Sequence, residues 1–187
     1  MNCPQTDSRS GRVVFVCQCL LNANAKVCGL AKYPGILPGL VESLAEQECG
    51  LIQLPCPELI HLGPKRWWQS CSQYDTPAYR GLCSQLALDA SDLAGQYLSA
   101  GYSIAGVLGV EGSPSCGVEE VYDSPAWGGR PKSVDLSGCR VKGTGLFVET
   151  LKEVFADKSQ NIPFVGIPSD VKEMNRRLAL LFGDTTS

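Results

Sequence analysis

Four short runs of apolar residues along the chain have the length and composition of buried β-strands. The predicted strands cover residues 12–17, 51–54, 102–110 and 162–167. The first strand, with the sequence RVVFVC, is the clearest because it is apolar and β-branched. The second strand ends at Pro55, which cannot donate a hydrogen bond to a continuing sheet.

Between and after these strands, apolar residues recur at the spacing of one helix face. Three helices are predicted from this spacing over residues 36–48, 80–100 and 146–158. A fourth helix follows the last strand, and Ser169 or Asp170 can cap its first turn. The chain therefore alternates strand and helix four times.

Alternation of this kind predicts an α/β fold of the Rossmann-like type. We expect one domain over residues 1–187, with about four parallel strands, helices on both faces, and a flexible tail at residues 1–11. In such sheets, ligands bind beyond the carboxyl ends of the strands. Residues 64–79 and 112–145 fit no regular element, and we expect them to form binding or lid loops or else to be mobile.

The composition excludes some classes of protein. Hydrophobic residues make up 44% of the 187 residues and charged residues 19%, which is typical of a globular protein. The net charge of −3 does not favour a nucleic-acid polymer as partner. The first residues lack an apolar signal-peptide core, and no apolar run is long enough for a bilayer, so we expect a cytoplasmic protein without a membrane partner.

The ten cysteines are the main candidates for chemistry, since the chain has one histidine, His61. Cys19, Cys56 and Cys116 each follow one of three successive strands, so the topology predicts that they meet at one end of the sheet. Converging thiolates suit an iron–sulfur cluster or zinc. No Cys-x-x-Cys pair is present, which favours a cluster with an open iron over a closed zinc site. The alternative is three buried cysteines that act as small apolar residues.

The other cysteines are less informative. Cys17 shares a strand face with Cys19, and we expect it to be a neighbour of the site, although a fourth ligand or a redox partner stays open. Cys49 and Cys83 lie at helix ends, where packing is the default. A last group, with no assigned role, comprises Cys28, Cys71 and Cys139.

Several further residues lie close to the predicted cysteine site. Glu58 can serve as an acid or base, or it can accept backbone N–H bonds and cap the next turn. Ser113 can act beside Cys116 or only begin a turn. Trp67 and Trp68 can stack on a flat heterocycle, or pack within the protein or at a subunit interface. Residues 143–145, Gly-Thr-Gly before a helix, could hold an anion.

Five short motifs resemble those of the thiouracil desulfurase family. They are CLL at 19–21, CPE at 56–58, SPSCG at 113–117, VYD at 121–123 and GTG at 143–145. The resemblance implies a [4Fe–4S] cluster that is held by Cys19, Cys56 and Cys116, with the fourth iron open. Glu58 and Ser113 match positions that look catalytic in that family.

The resemblance implies a desulfidase that removes sulfide, without net redox chemistry, from a small thiolated compound such as a thionated nucleobase. Asn22 stands where the family usually has glycine, and the Trp67-Trp68 region looks more like a related branch of desulfidases, so the substrate stays open. The alternatives are a non-catalytic iron–sulfur protein for electron transfer or sulfur delivery, and a zinc-stabilised binding module. No oligomeric state is predicted.

Overall fold

The protein is built around a sheet of parallel strands. The computed structural model describes residues 7–123 and 138–183. The elements in chain order are β1 (Arg12–Cys17), α1 (Gln18–Leu21), a 3-10 turn (Ala23–Ala25), α2 (Leu40–Glu46), β2 (Gly50–Leu54), α3 (Pro57–Leu62), α4 (Cys71–Tyr74), α5 (Pro77–Ser99), β3 (Ser103–Val110), β4 (Glu120–Tyr122), β5 (Arg140–Lys142), α6 (Leu146–Asp157), β6 (Phe164–Ile167) and α7 (Val171–Phe182).

The four main strands lie in the order β2-β1-β3-β6, and every pair is parallel. Helices α2 and α7 pack together on one face, and α5 and α6 pack together on the other. The predicted α/β fold with helices on both faces is therefore confirmed. The chain leaves β1 toward β2 and then returns to β3 on the other side, so the switch in strand order lies between β1 and β3.

The core fills both faces of the sheet, against α2 and α7 on one side and against α5 and α6 on the other. Phe15 of β1 faces Phe155 of α6 with 6.3 Å between the ring centroids, and both side chains are buried. Burial of an aromatic side chain of this size stabilises the fold by about 1.5–3 kcal/mol. This packing fixes the sheet that positions the strand ends.

Helix α5 is long, with 23 residues, and it presents a buried stripe of small residues that includes Cys83, Ala87 and Ala94. These small side chains let the helix lie close to its neighbours. Its first turn reaches the carboxyl end of the sheet. Within residues 7–123 and 138–183, no helix combines the length and the apolar character that a bilayer crossing requires.

The helix predicted from residue 36 begins later than expected. Helix α2 starts at Leu40, because Gly39 has a φ of +78°, a left-handed conformation that interrupts helical backbone. Ile36 is 52% exposed, whereas Leu37 is buried outside the helix. The apolar spacing at residues 36 and 37 therefore reflects loop packing, and that part of the prediction was wrong.

The two segments predicted to be irregular contain regular elements. Residues 64–79 include α4, which starts with a capping box between Ser70 and Gln73, and the beginning of α5, which Thr76 caps. Residues 112–145 include β4 and β5, which pair as a small antiparallel ribbon. Residues 124–137 of that segment lie outside the described residues.

Of the predicted N-terminal tail, residues 1–6 lie outside the described residues. Nearer the sheet, the Ser10 hydroxyl donates to the carbonyl of Glu48 at 2.6 Å. The carbonyl of Gly11 accepts the Ser103 N–H at 2.8 Å. These bonds attach residues 10 and 11 to the body of the protein.

Candidate functional site

A cavity of about 290 Å³ opens at the carboxyl end of the sheet. It lies beside the switch point between β1 and β3, where the fold predicts a ligand site. Its wall contains most of the residues that the sequence singled out, namely Cys19, Cys56, Cys116, Glu58, Ser113 and Trp68. The structure therefore brings the three predicted cysteines to one cavity.

Cys19 and Cys56 are placed by the register of the first two strands. Cys17 of β1 is the register partner of Leu54 of β2. Cys19 and Cys56 each lie two residues after this pair, so they leave the sheet at the same level. The N–H of Cys56 donates to Oε1 of Gln18 at 2.9 Å, which ties the two strand ends together. This bond holds both cysteine-bearing segments together at the carboxyl end of the sheet.

Cys56 also begins helix α3. Its Sγ accepts the N–H of Leu59 at 3.4 Å, and Pro57 occupies the first helical position, where no N–H is required. Burial is the main cause that raises the pKa of the Cys56 thiol to about 12, and the charges of Glu58 and Cys116 contribute to this rise. Cys56, and not Glu58, caps this helix.

Cys116 lies in the tight turn formed by residues 113–117. Ser113 Oγ accepts the N–H of Ser115 at 3.3 Å and the N–H of Cys116 at 3.0 Å. The first N–H groups of α6 donate to the turn as well, since the Phe147 N–H bonds to the Ser115 carbonyl at 2.9 Å. The helix terminus after residues 143–145 therefore holds the cysteine turn instead of the anion that the sequence suggested.

Two glycines make this arrangement possible. A Cβ at Gly145 would lie 2.4 Å from the carbonyl carbon of Ser115, and a Cβ at Gly109 would lie 2.5 Å from the carbonyl oxygen of Cys116. No real side chain tolerates either distance. The turn that carries Cys116 is therefore enclosed between two backbone segments that only glycine can supply.

The three thiols influence one another electrostatically. Burial is the main cause that raises the pKa of Cys19, and the charges of Cys116 and Cys56 add to it, while Lys26 opposes it. The pKa of Cys116 rises first through its hydrogen bond with Cys17 and then through burial. Cys17 thus contacts Cys116 from the buried strand. Because metal binding requires thiolates, a metal centre must displace these protons when it binds.

Glu58 occupies a buried network of side chains and is only 8% exposed. The Ser115 hydroxyl donates to its Oε1 at 2.7 Å. Its Oε2 accepts two longer contacts, from the Tyr74 hydroxyl at 3.4 Å and from Nη2 of Arg66 at 3.5 Å. Tyr79 extends the network, since its hydroxyl lies 2.6 Å from Oγ of Ser115.

Sequence reasoning missed these partners of Glu58. Ser115 stands inside the SPSCG motif and Arg66 stands beside the two tryptophans, so their positions were informative without revealing the contact. Tyr74 and Tyr79 come from the segment that was predicted to be irregular. The capping box at Ser70 was the available signal that this segment begins a helix.

The remaining candidates fall in different places. Trp68 lines the cavity, whereas Trp67 is 46% exposed and is absent from the cavity wall among the described residues. The ring of His61 packs on Tyr79 with 5.2 Å between the centroids. Cys49 and Cys83 belong to the hydrophobic core, as predicted.

The donor set distinguishes between kinds of metal centre. In the described ranges, no group of three or more His, Cys, Asp or Glu residues could hold a metal ion. Thiolates that share one zinc ion lie about 3.8 Å apart, because Zn–S bonds measure about 2.3 Å. A cubane cluster binds its thiolates through separate iron atoms, so it does not need so tight a group. The three thiols on this cavity wall are soft donors of the kind that an iron–sulfur cluster takes.

Comparison with known proteins gives a structural neighbour. No protein-family model matches the chain. The fold is similar to the solved structure of TudS, a [4Fe-4S]-dependent thiouracil desulfidase, with a TM-score of 0.52 and 22% sequence identity. The match covers 90% of this chain and 99% of that chain. At this level of identity, the likeness shows a shared fold.

A second comparison rests on sequence. Over 107 residues the chain is 36% identical to the uncharacterized protein MJ0003 of Methanocaldococcus jannaschii. The matched region makes up 57% of this chain and 68% of that protein, so the similarity extends over most of the relative. The chain belongs to the same family as MJ0003.

Proposed function

We propose that the chain is an iron–sulfur-dependent desulfidase that removes sulfur, as sulfide, from a small thiolated compound such as a thionated nucleobase. One observation carries the proposal: three thiols, of which Cys56 and Cys116 are buried and Cys19 is partly buried, line a single cavity with the buried carboxylate of Glu58 at the switch point of the sheet. The similarity of the fold to that of TudS, a [4Fe-4S]-dependent thiouracil desulfidase, supports the same proposal.

Cys19, Cys56 and Cys116 are the residues that would hold a [4Fe–4S] cluster. When bound, the cluster supplies a Lewis-acidic iron for the substrate sulfur, which polarises the C–S bond. The protein contributes three thiols from three separate strand ends. Three thiolates leave one position of a four-iron cluster without a protein ligand.

Glu58 is the proposed general base. Its carboxylate accepts a proton from water, and the water oxygen adds to the carbon that bears sulfur. The overall change is C=S + H₂O → C=O + H₂S, which balances without an oxidant or a reductant. The Ser115 bond to Oε1 holds the carboxylate in the cavity wall, and such general-base catalysis contributes about 10²–10⁴-fold.

Ser113 is the proposed hydrogen-bond donor to the substrate. Its Oγ already accepts two backbone N–H groups, from Ser115 and Cys116. Both oxygen lone pairs are thereby used, so the hydroxyl acts as a donor. It forms a hydrogen bond with the Cys116 side chain, which opposes the rise in the pKa of that thiol, and a ring nitrogen or the departing sulfur would compete with this sulfur for the proton. Trp68 in the cavity wall, with Trp67 next to it in the chain, supplies an aromatic surface for a flat ring.

The test is sulfide release by the protein after anaerobic reconstitution with iron and sulfide. Thiolated pyrimidines, thiolated purines and small thioamides are screened in turn, and the oxygen-containing product is identified in each case. We expect release by the cluster-loaded protein and none by the same preparation without iron. A loaded protein that releases no sulfide from any compound would contradict the proposal. A cluster with four protein ligands would favour an electron carrier instead.

A further inference from the structure

Two buried hydroxyls form a chain that ends on Glu58. Ser115 donates its single hydroxyl proton to Oε1 of Glu58 at 2.7 Å. The Tyr79 hydroxyl lies 2.6 Å from Oγ of Ser115. Since the Ser115 proton is already used, Tyr79 must be the donor in this second bond. The direction of the chain is therefore fixed as Tyr79 to Ser115 to Glu58.

Both hydroxyl residues are held rigidly. The ring of Tyr79 contacts the rings of Tyr74, at 4.8 Å between centroids, and of His61, at 5.2 Å. The Ser115 carbonyl accepts the N–H of Phe147 at the start of α6. Burial raises the pKa of Tyr79, so the phenol keeps the proton that the chain requires.

Neither hydroxyl residue belongs to the cavity wall in the described part of the chain, and both are fully buried. Whatever they do for a bound molecule must therefore act through Glu58. The two oxygens of Glu58 also differ: Oε1 accepts one short bond, whereas Oε2 has only long contacts at 3.4 and 3.5 Å. Oε2 is thus the oxygen whose contacts are weak enough for a water molecule to replace them.

We propose that Tyr79 and Ser115 are positioning residues that lock the Glu58 carboxylate through Oε1 and leave Oε2 to accept the proton from water. The inference rests on the proposed function, in which Glu58 is the base. It adds which oxygen reacts and which residues hold it there. A carboxylate that can rotate would spend less time in the productive geometry, and small misplacements of a reacting group cost about 10²-fold in rate.

The first experiment measures turnover of Tyr79→Phe and Ser115→Ala. Tyr79→Phe removes one oxygen and keeps the ring packing, so we expect kcat to fall about 10-fold with little change in KM, and Ser115→Ala to lower kcat by about 10–100-fold. Iron and sulfide content and the visible spectrum should match the wild type, because neither side chain is a proposed ligand.

The second experiment places Tyr79→Phe in a Glu58→Gln background. A residue that acts through Glu58 has no further effect once the base is removed, so the double variant should turn over at the rate of Glu58→Gln alone. A merely structural role predicts that the two losses multiply.

The third experiment needs no activity. Unfolding by urea of wild type, Tyr79→Phe, Ser115→Ala and the double variant should show that the two substitutions are coupled, because they share one hydrogen bond. Ser91→Ala is the matched control for the serine, since Ser91 is also fully buried and donates to Gln160 at 2.7 Å. Tyr97→Phe, further along α5, is the control for the tyrosine.

Each result separates the two proposals. If the loaded wild type releases no sulfide, the proposed function falls and the positioning role falls with it. If the wild type is active and Tyr79→Phe keeps its kcat, only the positioning role is overturned. If the losses of unfolding free energy in Tyr79→Phe and Ser115→Ala add up in the double variant, the two hydroxyls do not share a hydrogen bond, and the proposed chain is wrong whatever the activity.

Discussion

Two buried carboxylates line the cavity, and their surroundings differ. Glu111 follows β3, and its Oε1 forms an ion pair with Nη1 of Arg177 at 3.0 Å while its Oε2 accepts the N–H of Glu120 at 3.0 Å. Glu58 follows β2, and its nearest partner is a neutral hydroxyl. Its only nearby cation, Arg66, lies at 3.5 Å among the described residues.

The difference in surroundings indicates that Glu111 and Glu58 have different roles. Both oxygens of Glu111 have a short partner, and its side chain covers Gly166 so closely that a Cβ there would lie 1.5 Å from Oε1. Glu111 therefore fastens the end of β3 to β6 and α7. Glu58 retains an oxygen with only long contacts, which is what a base requires.

The largest expected effect concerns the cysteines on the cavity wall. We expect Cys19→Ser, Cys56→Ser and Cys116→Ser each to abolish cluster binding, because a serine hydroxyl is a poor ligand for iron compared with a thiolate. Cys49→Ser and Cys83→Ser are the controls, since both side chains lie in the core. Iron and sulfide analysis after anaerobic reconstitution decides, and full loading of any of the first three would refute the ligand set.

The next effect concerns the base itself. We expect Glu58→Gln to keep the cluster and lose turnover by about 10²–10⁴-fold, because an amide of nearly the same shape cannot accept the proton from water. Sulfide release under saturating substrate measures the loss. If this variant turns over at the wild-type rate, Glu58 is not the base, and the functional distinction between Glu58 and Glu111 is lost.

The matching substitution at Glu111 should act mainly on stability. We expect Glu111→Gln to lower the free energy of unfolding by about 1.5–3 kcal/mol, the range for hydrogen bonds to charged groups. Its loss of turnover should be smaller than that of Glu58→Gln. Urea unfolding measures the loss of unfolding free energy. If Glu111→Gln unfolds like the wild type, Glu111 does not have the structural role that distinguishes it from Glu58.

The smallest effects concern the aromatic residues after α3. Trp68→Ala should weaken the binding of a flat thiolated ring by about 1–3 kcal/mol, the range for stacking of a base on an aromatic side chain. Trp67→Ala should have a lesser effect, since the structure leaves Trp67 outside the cavity wall in the described residues. Titration with an unreactive oxygen analogue measures both. A larger effect at Trp67 would contradict this order.

The strands and the cysteines could be predicted from sequence because both follow from local signals and one rule of topology. Residues 12–17 were recognised as β1 from their composition, and the structure gives the same bounds. Parallel strands place their carboxyl ends at one edge, so residues that follow three strands had to meet there. Neither step required knowledge of side-chain contacts.

The network around Glu58 could not be predicted, because its contacts join distant parts of the chain. Ser115 is 57 residues from Glu58 and 36 from Tyr79. Residues 36–39 show the same limit. Their apolar spacing predicted a helix, but Gly39 adopts a positive φ and the helix begins after it. Sequence patterns describe single elements, whereas this network depends on how three elements are assembled.

The strand order has a consequence for maturation. Strand β1 pairs with β3 through partners about 90 residues apart in the chain, such as Arg12 with Ser103. Contacts of such long sequence separation form late, because closing the intervening loop costs entropy first. We therefore expect Cys116 to reach Cys19 and Cys56 only after the central sheet has assembled. On this expectation, a cofactor held by these thiols is loaded into a folded scaffold and does not act as the nucleus around which the chain folds.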